Sequence, residues 1–164
     1  MSGDILRSWR RPRAVVRGLL AQGPREDRAL MFLMSACGLV FLAQWPRLAR
    51  QAQLDPEVPL QAMLGGALLG WFFFAPLFFY ALAGLIALAM RLIGQRIPGH
   101  AARMALFWAL LAVSPMWLLH GLVAGIAGPG ALTAAVGLAV LAGFFWILGG
   151  GLGAAALEAR GQRA

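Results

Sequence analysis

Apolar residues in this chain run on without the polar alternation of a barrel strand. No Asp, Glu, Lys or Arg interrupts the 54 residues from Met104 to Leu157, and another charge-free tract covers the 31 residues from Leu60 to Met90. A hydrocarbon layer about 30 Å thick is crossed by roughly 20 apolar residues in a helix. In lipid the backbone must satisfy its own hydrogen bonds, which leaves helices or closed barrels, and continuous apolar runs select helices. The pattern predicts an all-α fold, a polytopic transmembrane helix bundle.

Charge and proline set the expected boundaries. The first span is read as Ala29–Trp45, opened by the polar stretch Gly23 to Arg28 and closed by Pro46. The second is read as Leu60–Ile93, after Pro56 and Pro59, as one tilted helix kinked at Pro76. The third, Ala102–Ile126, carries Pro115 midway, and the fourth, Ala131–Leu157, follows the turn Gly128-Pro129-Gly130. Residues 1–28 then form an Arg-rich arm, 29–157 the membrane domain and 158–164 a short tail. Four spans are expected; a fifth would require the second segment to divide at Pro76.

Orientation follows from arginine, the sole basic residue type among 14 basic and six acidic side chains. With the N-terminus in the cytoplasm, four spans place 12 arginines inside and two, Arg47 and Arg50, outside. Five spans would place seven on each side, so four spans with both termini inside is the expectation. A composition 61 % hydrophobic and 12 % charged agrees, against about 45–50 % and about 25 % in soluble domains. Arginine without lysine, beside abundant Ala, Gly and Leu, points to a GC-rich bacterial genome and hence to a bacterial inner membrane. No apolar run of signal-peptide length precedes the first span, so no cleaved leader is expected.

The arm adds an amphipathic element. At 100° per residue Ile5, Leu6, Trp9, Val16, Leu19 and Leu20 share one side, and Arg7, Arg10, Arg11, Arg13 and Arg17 spread over the other, with Pro12 dividing the segment. Two readings stand: the arginines set topology alone, or the arm lies in the interface with its arginines on anionic headgroups. Basic charge next to a membrane span does not imply nucleic acid.

Candidate chemistry is sparse. No acid lies inside a span, whereas ion-coupled transporters keep ionisable groups at membrane depth. Ser114 and His120 point about 120° apart on a helical wheel, against a hydrolase dyad. His120 is expected near the outer interface and His100 in the inner loop. Two histidines and the single Cys37 offer no metal set, and no cofactor is expected. The pairs Gly66/Gly70, Gly121/Gly125 and Gly149/Gly153 have the spacing that lets helices approach, but 21 glycines give roughly two to three such pairs by chance. The run Gly149 to Gly153 reads as a thin helix end suited to close packing.

The stretches Tyr80 to Gly84, Arg91 to His100, Arg103 to Trp108 and Ser114-Pro115, with Arg11 to Arg17 before the first span, resemble the bacterial branch of the Ypt-interacting-protein (Yip) family. That resemblance implies a multi-pass, non-enzymatic membrane protein. The chain departs from the family in having four spans where five are general, and in lacking the acidic, tyrosine-containing motif of eukaryotic members. Their binding of prenylated small GTPases is therefore not carried over. The expected function is an organising or accessory protein contacting anionic lipids, a membrane-protein partner or a second copy. The alternative is a small-molecule permease with helices broken at Pro76 and Pro115 lining a path.

Overall fold

A computed structural model describes residues 2–55, 57–95 and 97–161. Among them the order is α1 (Ser2–Arg10), α2 (Pro12–Leu20), α3 (Glu26–Leu54), α4 (Leu60–Leu69), a π-helical turn (Gly70–Phe74), α5 (Ala75–Leu92), α6 (Gly99–Ala127) and α7 (Ala131–Gly161), with no strand. Four helical segments are long and apolar enough to cross a membrane: α3, the continuous rod Leu60–Leu92, α6 and α7. The chain is a multi-pass all-α membrane protein. Pro56, Arg96 and Arg163, which entered the reading of the second helix start and the charge count, lie outside the described residues.

The first span departs from its expected bounds. Instead of Ala29–Trp45, α3 covers 29 residues and carries Pro46 inside it. An interior proline removes one hydrogen bond, at about 3 kcal/mol in an isolated helix. Here the proline ring is seated where α6 has no side chain: a Cβ on Gly125 would lie 2.5 Å from Pro46 Cβ. Continued packing on α6 carries the helix past the break. At about 43 Å, α3 exceeds the hydrocarbon thickness. The part after Pro46, with Arg47, Arg50, Gln51 and Gln53, is the part suited to leave it.

The rod Leu60–Leu92 is a single element, and its irregularity falls at Pro76. Just before Pro76 the helix widens into a π turn, with the Ala75 N–H bonded to the Gly70 carbonyl five residues back. In a regular helix the Pro76 ring would press on the Phe72 carbonyl, and a widened turn gives it room. This rod is peripheral: 6 % of its apolar window is buried within the protein, against 39 % for α3 and for α6. Trp71, Phe79 and Tyr80 pack inward, while Phe73, Phe74 and Phe78 face outward.

After α5 the chain turns at Gly94, whose φ of 81° suits glycine, with the Gln95 N–H on the Met90 carbonyl at 2.8 Å. Pro98 then starts α6, so His100 sits in its first turn and not in the loop. Helix α6 is the centre of the fold, with every residue from Met104 to Ser114 buried. Phe107 meets Tyr80 and Trp108 meets Phe32, each edge to face at 5.0 Å. Without a hydrophobic force between helices in lipid, association rests on close van der Waals contact. A Cβ on Gly121 would lie 1.6 Å from the Ala43 carbonyl oxygen, so Gly121/Gly125 is a contact within the chain, between α6 and α3. Gly66 and Gly70 have nothing within 4 Å. Arg103 Nε donates to Glu26 Oε2 at 3.0 Å, and a second nitrogen reaches the other carboxylate oxygen, tying the starts of α6 and α3.

Pro115 frees the Leu111 carbonyl, and the neighbouring residue recovers it: the Ser114 hydroxyl donates to Leu111 O at 2.7 Å.

Candidate functional site

Pro12 divides the arm as expected. The residue before a proline is pushed out of the helical region, and Arg11 has φ −141° and ψ 65° between α1 and α2. Pro12 then serves as a first-turn residue of α2, where its missing N–H costs nothing.

The apolar face of the arm is spent on the protein, which the sequence does not announce. Val16, Leu20, Pro12 and Ser8 are buried, and Trp9, Ile5 and Leu19 pack against the core; Leu6, 74 % exposed, is the member of that face left outside. The receiving surface is a row of glycines on α7. A Cβ on Gly143 would stand 2.5 Å from the Trp9 ring, and one on Gly150 would stand 2.6 Å from Pro12 Cγ. On Gly151 it would lie 3.1 Å from Ala105 Cβ and 3.3 Å from Val16 Cγ2. Positions 143, 150 and 151 are seven and eight residues apart, one face of a helix. The glycine run read as a thin helix end is the seat of the arm.

One buried polar contact keys this docking. Trp108 Nε1 donates to Ser8 Oγ at 2.9 Å, and that hydroxyl donates to the Asp4 carbonyl at 2.7 Å. Both side chains are buried, and the Trp108 indole N–H would be left without an acceptor if Ser8 were not docked there. Ser8 was missed in the sequence, where its only signal is a hydroxyl near an apolar face; its partner lies 100 residues away.

With its apolar side held, the arm presents its arginines outward, and all five named in the sequence are exposed. Arg10, Arg11 and Arg13 line an open groove of about 710 Å³ whose other wall is α7, through Phe145, Trp146 and Gly149. Arg7 joins Arg10 and Arg11 in an adjoining hollow beside Leu6. Arg17 is exposed on α2 and lines neither. No carboxylate lines the groove or the hollow. Three guanidinium groups beside exposed aromatics form a surface that can take phosphate oxygens at one level and hydrocarbon at the next.

The other candidates fall elsewhere. Ser114 is buried and its hydroxyl is engaged with Leu111, whereas His120, six residues further along α6, is half-buried against the Trp117 ring. Pro76 and Pro115 lie outside the groove. Among the described residues no three His, Cys, Asp or Glu side chains gather to hold a metal ion.

Comparison with protein-family models, with curated proteins and with solved structures finds no match to this chain.

Proposed function

We propose that this chain is a non-enzymatic organising or accessory protein of a bacterial inner membrane, with both termini cytoplasmic, and that its arm holds anionic lipid headgroups of the inner leaflet. The observation that carries the proposal is the groove in which Arg10, Arg11 and Arg13 face the aromatic wall of α7. The arginine asymmetry supports the same side of the membrane for the arm. The Yip resemblance belongs to this proposal and rests on the residues that carry it. A permease reading loses support at Pro115, because the carbonyl that would line a polar route is already bonded to Ser114.

Each arginine near an anionic surface contributes about 1 kcal/mol at moderate salt. The triple variant Arg10→Gln/Arg11→Gln/Arg13→Gln, extracted in mild detergent and measured by native mass spectrometry, is expected to retain less phosphatidylglycerol than the parent chain, by the share held at the groove. Unchanged retention in a folded triple variant would return these arginines to a purely topological role.

A further inference from the structure

The far ends of α3 and α6, remote from the arm, frame a second binding site. Two adjoining cavities of about 390 and 240 Å³ share Arg47, His120 and Ala124 and form one crevice. Its deep end is apolar, walled by Val40, Trp71 and Trp117; its mouth carries Arg47, Gln51 and His120. From Val40 to Arg47 is seven residues, about 10 Å along α3. Arg47 stands just past Pro46, where α3 is suited to leave the hydrocarbon, so the crevice passes from apolar to cationic along the direction in which a lipid does.

The cations at the mouth are incompletely matched. Arg47 is exposed, reaches the neutral Gln44 Oε1 at 3.4 Å, and among the described residues meets no carboxylate. Arg50 donates to the Ile126 carbonyl at 2.8 Å and to the Gly125 carbonyl at 3.3 Å, capping α6, yet its buried Nε has no partner. Asp55, at the rim, accepts the Glu57 N–H and is, among the described residues, the one acid lining the crevice beside two arginines, so the mouth keeps a net positive charge. A small polar solute would leave the apolar wall unused, and a pure hydrocarbon would lie against an unpaired guanidinium. An amphiphile with an anionic head meets both demands.

We infer that this crevice binds one anionic phospholipid from the leaflet opposite the arm, its phosphate on Arg47 and the upper part of an acyl chain along Val40, Trp71 and Trp117. The site is independent of the arm groove and stands or falls without it.

The test uses the full chain in mild detergent, with phosphatidylglycerol as probe and native mass spectrometry as readout. Arg47→Gln is expected to weaken the retention of one lipid about tenfold, the size of one charge-assisted hydrogen bond. Arg47→Lys, which keeps a point charge for phosphate, is expected to recover most of it. The triple arm variant is expected to keep this lipid. The inference is overturned if Arg47→Gln retains as much as the parent chain, if phosphatidylcholine is held as tightly, or if oleate competes as well as the phospholipid. It is equally overturned if the loss occurs only in the arm variant.

Discussion

A proline in a lipid-facing helix creates one unmet carbonyl, and Ser114 is placed to meet the one that Pro115 creates. The hydroxyl sits 2.7 Å from Leu111 O, while Pro115 itself is exposed at the surface of the bundle. Removing the hydroxyl alone, in Ser114→Ala, is expected to cost about 1 kcal/mol because a buried carbonyl loses its partner. Pro115→Ala is expected to cost little, since a backbone N–H becomes available to the same oxygen. The double variant Ser114→Ala/Pro115→Ala should therefore be more stable than Ser114→Ala alone, a coupling that thermal unfolding in detergent measures directly. Additive effects would mean that the hydroxyl has no part in relieving the proline.

At the scale of elements, the four spans were legible because charge-free tracts of that length have no other stable place for their backbone. The division of the arm at Pro12 was legible for a similarly local reason, the proline's effect on Arg11. Pro46 was misread as an end because its local cost is visible in sequence while its compensation, the bare Gly125 on another helix, is not. The π turn before Pro76 was not read from the sequence, which offered the proline alone. The docking of the arm was not legible: an apolar stripe opposite arginines suits a headgroup boundary and a glycine face equally well. Half of the candidate groove was therefore readable, the arginines, and the other half, Phe145, Trp146 and Gly149, depends on where α7 lies.

For the molecule as a whole, α6 is buried along its first half because neighbours close around it, and the arm closes the side that α3, α5 and α7 leave. The two ends of the bundle then differ: arginines on a docked arm at one, a crevice with Arg47 and His120 at the other. Topology reporters should accordingly be active outside when fused after Arg50 or Pro129 and inside when fused after Gly94 or Gly161. A C-terminal reporter active outside would contradict the arginine count and require a fifth span. Both the groove and its proposed lipid rest on the arm being seated on α7 in the membrane. The most direct measurement is a cross-link between Pro12→Cys and Gly150→Cys in a Cys37→Ala background, oxidised mildly in native membranes. A Cβ on Gly150 would lie 2.8 Å from Pro12 Cβ, close enough for a disulfide after a small adjustment. The docked arm predicts near-complete intramolecular cross-linking. Two freely alkylated thiols and no cross-link would mean that the arm lies on the lipid surface, detached from the bundle.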